Sequence, residues 1–380
     1  MLLIAVLMLM VLSLGVVYSA SSSWAMERWG ESGHFLGRHA IKVLLAFIMI
    51  FFFMQVDYHR YARLSKKILL GTAALLAVTL ALGVAIKGAS RWLEVGGFGF
   101  QPSELAKFAL IFHLSTLLAA KQDRIGDFRL GYLPMMIWVG IVTVLVLLQP
   151  NFSTGAMIFV ISLAMLFLGR ARLSHLGLTL AALVPLLLVY MVNAEYRMRR
   201  ITSFFEGGNT GGTGNYQLAQ GILGFGSGGL LGVGPGESRQ RDLFLPESYG
   251  DFVFSIVGEE YGLIGTLFFL TLFLVILLRG IRIARHARDM HGTMLAGGIT
   301  LAITLYALVN AGVTLGLLPT TGLPMPFVSY GGSSMVFSAA AVGVLLNISS
   351  QTDLHPRLMQ AAEGERSADA AGGPAVGKVY

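Results

Sequence analysis

The chain has 380 residues, 55% of them hydrophobic and 12% charged, with a mean hydropathy of +0.72. Soluble domains carry about 25% charged residues, and a globule of this length has no way to cover so much apolar surface, so a water-soluble enzyme and a disordered chain are both excluded. The 47 glycines suit membrane helices, the absence of cysteine excludes disulfides, thiolate metal sites and cysteine nucleophiles, and the net charge of +7 is to be read as sidedness, with no nucleic-acid partner expected.

A span needs about 20 mostly apolar residues. Ten such segments follow in chain order: 2–20, 39–56, 68–86, 103–120, 132–149, 153–169, 173–192, 252–278, 292–317 and 327–349. The first is read as a membrane helix and not a cleaved leader, because no basic stretch precedes it and further spans follow. None of these runs alternates polar and apolar as barrel strands do, and helices satisfy their own backbone groups. The expected fold is therefore an all-α integral membrane protein of ten transmembrane helices, residues 1–350. A large loop, 193–251, joins helices seven and eight, and the tail 351–380, rich in Ala, Gly, Ser and charge, is expected to be disordered.

Basic residues set the orientation. One set of loops holds Arg60, Arg63, Lys66, Lys67, Lys121, Arg124, Arg129, Arg170, Arg172, Arg279, Arg282, Arg285 and Arg288, and the tail adds Arg357, Arg366 and Lys378. The short loops of the other set hold Arg28, Arg38, Lys87 and Arg91. Both termini are thus expected in the cytoplasm, with loop 193–251 on the outer side of the cytoplasmic membrane.

Polar groups at membrane depth are functional candidates by default. Four places qualify. In the first, Arg91-Trp92 precedes Gln101-Pro102-Ser103-Glu104 and Lys107. Pro102 and Ser103 suit a helix start, and Glu104 and Lys107 share one helix face. Either they form an internal salt bridge, or Lys107 and Arg91 face a polar cavity and hold an anion. The second place is the glycine-rich stretch Gly207-Gly208-Asn209-Thr210-Gly211-Gly212, Gly224-Phe-Gly226-Ser-Gly228-Gly229 and Gly232-Val-Gly234-Pro-Gly236. It matches G-x-G-x-x-G without a βαβ unit, so a dinucleotide site is rejected. A flexible loop with free N–H groups for phosphates is expected instead, with Arg239 and Arg241 beside it.

The third place is Glu247-Ser248-Tyr249-Gly250-Asp251-Phe252, where the chain enters the eighth span. A carboxylate there is half in low dielectric, either tuned for chemistry or serving as a helix cap. Glu259 and Glu260 lie about two turns later and need partners, Lys107 among the candidates. The fourth is Leu318-Pro319-Thr320-Thr321-Gly322-Leu323-Pro324-Met325-Pro326, followed by Ser329-Tyr330-Gly331-Gly332-Ser333-Ser334. Broken backbone at membrane depth is buried or lines a cavity, and the hydroxyls favour a cavity.

Together these stretches resemble the SEDS family, the membrane glycosyltransferases that polymerise the cell-wall precursor lipid II. The matching residues are Gly88-Ala89-Ser90-Arg91-Trp92, Gln101-Pro102-Ser103-Glu104-Leu105-Ala106-Lys107, Leu245-Pro246-Glu247 with Asp251-Phe252, Gly258-Glu259-Glu260, and Leu317-Leu318-Pro319 through Ser334. Tyr18-Ser19-Ala20-Ser21 and the 88–92 stretch are more similar to the division members of the family, FtsW, than to the elongation members, RodA. The resemblance implies the ten-helix SEDS fold, extracytoplasmic formation of β-1,4 glycan bonds, and an essential aspartate that falls at Asp251. It implies a class B penicillin-binding protein, the crosslinking transpeptidase, as partner, together with other division proteins. Two positions depart from the family's pattern. Tyr249-Gly250 stands where His-Thr is usual, and Asn151 where Asp usually follows Gln149-Pro150.

The chemistry suits these residue types. A sugar hydroxyl is a poor nucleophile, and a carboxylate within reach can take its proton as the bond forms, giving direct inversion. The diphosphate leaving group gathers charge that a cation would stabilise. Asp251 is accordingly the expected base, or the ligand of a divalent cation (Mg or Mn), with no organic cofactor. Arg91 and Lys107 are the diphosphate candidates, and Trp92, Gln101, Glu104, Glu247, Arg239 and Ser329 complete the expected substrate-binding set. A lipid II flippase and a non-catalytic scaffold for a transpeptidase are the alternatives.

Overall fold

A computed structural model of the chain describes residues 1–86, 89–95, 98–192, 198, 204, 213–245 and 248–352. The tail expected to be disordered lies outside the described residues from 353 onward, as does most of 193–212. Among the described residues the helices are α1 (Leu2–Trp29), α2 (His34–Gln55), α3 (His59–Leu82), α4 (Pro102–Ala120), α5 (Leu133–Leu148), α6 (Phe152–Leu168), α7 (Leu173–Val192), α8 (Thr213–Gly228), α9 (Val253–Arg285), α10 (Met290–Thr314) and α11 (Gly332–Ser350). Among the described residues eight helical segments are long and apolar enough to cross a membrane, so the protein is a multi-pass membrane protein. Phe152–Leu168 and Leu173–Leu186 are apolar but shorter.

Local chemistry explains the helix ends. Gly30 closes α1 in the left-handed conformation, its N–H donating to the Met26 carbonyl at 2.9 Å. Pro102 opens α4, where a missing N–H costs nothing. Asp289 caps α10, accepting from the Gly292 N–H at 3.1 Å. Ser103 is not the cap expected of it. It lies inside α4, after the N-cap Gln101, and its Oγ accepts from Asn151 Nδ2 at 3.4 Å.

The fold is not purely α. Residues 84–100 form a small antiparallel sheet, β1 (Val84–Ile86), β2 (Ala89–Val95) and β3 (Phe98–Phe100), in that order, with Val84 opposite Trp92 and Leu93 opposite Phe100. The third span therefore ends at Leu82 instead of 86. Hydropathy alone cannot separate a helix end from a short apolar strand. The better signals are the Val- and Ile-rich run after Gly83 and the two glycines between β2 and β3, which suit a two-residue hairpin link.

Helices α4, α10 and α11 form the enclosed centre, whereas α2 turns Ile41, Leu44, Phe47, Ile48 and Phe52 outward, as a lipid-facing helix does. α2 packs on α11, α3 and α10 flank α4, and α9 packs against α1, α8 and α10.

α9 is interrupted at Gly262, which has φ +62°. The backbone groups freed there bind the glycine-rich segment after α8. Val233 N–H donates to the Glu259 carbonyl (2.9 Å) and Gly234 N–H to that of Glu260 (3.1 Å). In return Leu263 N–H donates to Gly229 (2.9 Å) and Ile264 N–H to Leu230 (3.2 Å). A Cβ on Gly228, Gly232 or Gly262 would lie 2.0, 2.1 and 2.4 Å from backbone atoms of the opposing segment. The expected flexible, phosphate-cradling loop is thus corrected. Residues 224–228 end α8, and the N–H groups of 232–234 are engaged within the chain, so these glycines serve backbone contact.

Gly262→Ala adds a side chain at a left-handed position facing backbone. We expect it to destabilise the detergent-solubilised protein by about 2 kcal/mol or more, read as a lower thermal midpoint. An unchanged midpoint would contradict this docking.

Candidate active site

Asp251 is half-buried in the turn 248–252, just ahead of α9. It is not a helix cap, because Phe252 occupies that position, fully buried, and anchors the turn from below. Three further ties hold the turn. Ser248 Oγ donates to the Ala20 carbonyl of α1 at 2.7 Å. Tyr330 N–H donates to the Tyr249 carbonyl at 3.0 Å. Asn310 Nδ2, from α10, donates to the main-chain carbonyls of both Asp251 (2.7 Å) and Leu323 (2.8 Å).

The last bond joins the aspartate to the proline-rich segment 318–326. There Gly322 has φ +70°, and a methyl on it would lie 3.6 Å from Asp251 Oδ2. The carboxylate therefore faces a glycine held in a conformation that other residues avoid.

An aromatic wall stands beside this turn. Tyr249 stacks on Phe35 with ring centroids 4.8 Å apart and meets Trp24 and Tyr330 at 5.7 Å each. Burial, with Tyr330 adding to it and Arg28 opposing, raises the Tyr249 phenol above its ordinary pKa, so it remains protonated at neutral pH. Phe327 is buried at φ +64°, inside a turn in which Ser329 Oγ accepts from Met325 N–H at 2.8 Å. That is where the structure places Ser329: its hydroxyl fixes the turn.

The other candidates are distributed as follows. Lys107 Nζ donates to Glu104 Oε2 at 2.9 Å with both side chains 2% exposed, and the ammonium lies 3.8 Å from the ring centroid of Tyr306. This is the internal ion pair. Tyr306 and Asn310 are four apart on α10, so the pair and the Asp251 turn are both held by one face of that helix, a turn apart. Arg91 donates through Nε to the Gln149 carbonyl at 3.2 Å and through a second nitrogen to that of Pro150, binding β2 to the turn between α5 and α6. Trp92 is half-buried over Gly99. Gln101 N–H donates to Ser333 Oγ at 2.9 Å, which joins the sheet to the start of α11. Arg239 is exposed, and Glu247 lies outside the described residues.

Lys107 is not the partner of Glu259. That carboxylate accepts from Ser227 Oγ (3.3 Å), Ser238 Oγ, Arg239 N–H (3.1 Å) and Gln240 N–H (3.2 Å), so it fastens the 238–240 turn to α9. Glu260 accepts from Ser19 Oγ of α1. Among the described residues no three His or acidic side chains gather as a metal site. Asp251 is the carboxylate that the described residues place at this turn, Glu247 lying outside them, and no step below is routed through an ion.

Asn310 is the residue that sequence reasoning missed. The available signal was an amide in a span whose other polar groups are hydroxyls, because such groups at membrane depth seek partners. Asn310→Leu removes both donors at similar volume and leaves two carbonyls without them. We expect a loss of about 2 kcal/mol and faster amide hydrogen exchange across 248–252. Unchanged exchange there would remove Asn310 as the holder of the turn.

The chain has relatives among known proteins. Residues 1–354 match the family model described as "Cell cycle protein", that of FtsW, RodA and SpoVE. The "Probable peptidoglycan glycosyltransferase FtsW" of Geobacter metallireducens is 39% identical over 338 residues, covering 88% of this chain and 90% of the relative. "Stage V sporulation protein E" of Bacillus subtilis is 40% identical over 354 residues, covering 92% and 96%. Two solved structures share the fold. One is a chain of the assembly described as "Structural coordination of polymerization and crosslinking by a peptidoglycan synthase complex", with TM-score 0.75, 24% identity and coverage of 91% and 96%. The other is the Thermus thermophilus "Rod shape determining protein RodA", with TM-score 0.67, 24% identity and the same coverage.

Proposed function

We infer from this chain's membership of the FtsW/RodA/SpoVE family of cell cycle proteins that it is a peptidoglycan glycosyltransferase of the division type. It polymerises lipid II into β-1,4-linked strands at the outer face of the cytoplasmic membrane. The observation that carries a catalytic reading is the placement of Asp251: half-buried, clamped by main-chain bonds, and facing Gly322 across an irregular segment. A scaffold has no use for a carboxylate held in this way.

The reaction follows from that placement. The acceptor hydroxyl oxygen attacks the anomeric carbon of the donor sugar from the face opposite the diphosphate. As the new C–O bond forms, the bond to the diphosphate oxygen breaks and the leaving group keeps its electron pair. Asp251 takes the hydroxyl proton and later releases it to water. The anomeric centre inverts, and no glycosyl-enzyme intermediate is needed. Phe252 and Asn310 keep the base still while substrates exchange.

The eight long helices, with Phe152–Leu168 and Leu173–Leu186, supply ten crossings in this reading. Loop basicity then places both termini in the cytoplasm and Asp251 outside. The polymer needs crosslinking, which a class B penicillin-binding protein supplies as partner beside other division proteins.

The test is to incubate purified protein, with and without such a transpeptidase, with lipid II and Mg²⁺ or Mn²⁺, and to resolve the products on a gel. Glycan strands support the reading. No strands under any partner condition, with lipid II moved across vesicles instead, would replace it with the flippase reading. Neither product would leave a scaffold.

A further inference from the structure

Lys42 lies in the body of α2, eight residues after its start and so about 12 Å along the helix. Counted from the expected span 39–56 it lies three residues inside the apolar run, where a charged amine is favoured by a partner. Its ammonium rests 3.6 Å from the ring centroid of Tyr330, and its Cε lies 3.1 Å from where a Cβ on Gly332 would be. Gly332 is the first residue of α11. Lys42 therefore stands at the N-terminus of α11, which carries a partial positive charge and unpaired N–H groups of its own.

This is the wrong end of a helix for a cation. The N-cap, Gly331, has no side chain to accept from those N–H groups, and no side-chain cap bond is formed. Among the described residues no carboxylate forms an ion pair with Lys42. Arg38, one turn earlier on α2, adds a second positive charge. Ser334, in the first turn of α11, is 5% exposed, and its Oγ has no partner. His39 is fully buried, with Nε2 at 2.9 Å from Ser13 Oγ and Nδ1 without a partner, its ring 5.7 Å from that of Tyr330. Lys42 thus stands at the N-terminus of α11, whose first turn carries the unpartnered Ser334 Oγ, with Arg38 one turn away on α2, and among the described residues no carboxylate pairs with Lys42. A phosphate-type anion suits an ammonium beside uncapped N–H groups.

The location narrows the class of anion. Tyr330, which carries the ammonium on its ring, is bonded through its backbone to Tyr249, two residues from Asp251. The outer face of α2, with Ile41 and Leu44 on either side of Lys42 in sequence, is apolar and exposed, which suits an anion carried on a hydrocarbon tail. The cations expected from sequence to serve the diphosphate are engaged elsewhere, Lys107 with Glu104 and Arg91 with two backbone carbonyls.

We propose that Lys42, with Arg38 and the first turn of α11, is the seat of the diphosphate of a polyprenyl-linked substrate beside Asp251. This assignment rests on the polymerase reading and names the residues by which that site would hold the leaving group. Lys42 is a binding residue in it, and the charge it meets is the one that grows as the glycosidic bond to the diphosphate breaks.

The experiment uses the full chain in phosphatidylcholine nanodiscs, with undecaprenyl diphosphate as probe, and undecaprenol and phosphatidylglycerol as the other arms. Lys42→Gln is expected to bind undecaprenyl diphosphate about 10-fold more weakly than wild type and undecaprenol equally well, while Lys42→Arg retains most of the affinity. Equal affinity of wild type and Lys42→Gln for the diphosphate would overturn the proposal. So would phosphatidylglycerol displacing the probe at equal concentration, which would make the site an ordinary headgroup seat.

If Lys42→Gln does not elute as a monodisperse species, Lys42→Met carries the same test, since it keeps an unbranched stem against Tyr330 and removes the charge. Wild-type binding by that variant would then overturn the proposal. Strand formation, measured in parallel, separates this seat from the function itself. A wild type that binds through Lys42 yet makes no strands contradicts the polymerase reading and supports the seat. A Lys42→Gln variant that binds and polymerises like wild type contradicts the seat alone.

Discussion

Asp251→Asn is expected to lower strand formation from lipid II by about 10²- to 10⁴-fold, the range that a positioned general base supplies, while elution and thermal midpoint stay at wild-type values. The amide has nearly the shape of the carboxylate but cannot accept the hydroxyl proton. In the variant Asn310 still holds the main-chain carbonyl of residue 251 and Phe252 still fills the space beneath, so the turn keeps both anchors. Strands at the wild-type rate would remove Asp251 as the base and leave the enzyme with another one.

The second large effect falls on stability. Glu104 and Lys107 are both 2% exposed and paired at 2.9 Å, and the ammonium also faces Tyr306. Lys107→Met or Glu104→Gln alone strands an uncompensated group in the centre of the bundle, at about 3–5 kcal/mol. Each single variant is expected to give little monodisperse protein and a markedly lower thermal midpoint. The double variant, Glu104→Gln with Lys107→Met, recovers most of the midpoint, because two neutral side chains replace two mutually dependent charges. Single variants as stable as wild type would mean that the pair is hydrated and not enclosed.

Much of this architecture is legible before any coordinates. Long apolar runs place the helices, since a lipid-facing helix has no alternative composition. The i, i+3 spacing of Glu104 and Lys107 allows the bond they form, one of the two readings it left open, and the position of Asp251 at a span entrance announces a carboxylate at a boundary. What escaped has identifiable physical causes. The sheet at 84–100 is as apolar as the helix before it, so hydropathy ran through Gly83 without a break. The glycines of 228–236 looked like freedom because glycine alone does not say whether it supplies flexibility or admits a close backbone neighbour. The non-helical break at Gly262, 30 residues beyond Gly232, decides it. Lys107 was only one candidate partner for Glu259, and its real ones, Ser238 and the N–H groups of Arg239 and Gln240, escaped because they are not charged. Asn310 and Lys42 were overlooked inside spans 292–317 and 39–56 for a similar reason, since each is a single polar residue whose meaning depends on which chain ends it meets.

The way residue 251 is held has a practical consequence. Asn310 grips the peptide carbonyl of residue 251, which every side chain at that position retains, so this backbone anchor survives a substitution there. The sequence contains no cysteine, and Asp251→Cys would therefore carry the sole thiol of the protein. That thiol would accept a maleimide spin label or a crosslinker with no background from other sites. Distances measured from it, in the presence and absence of lipid-linked sugar, would report where a substrate lies against the turn, in native-like bilayers and without a crystal.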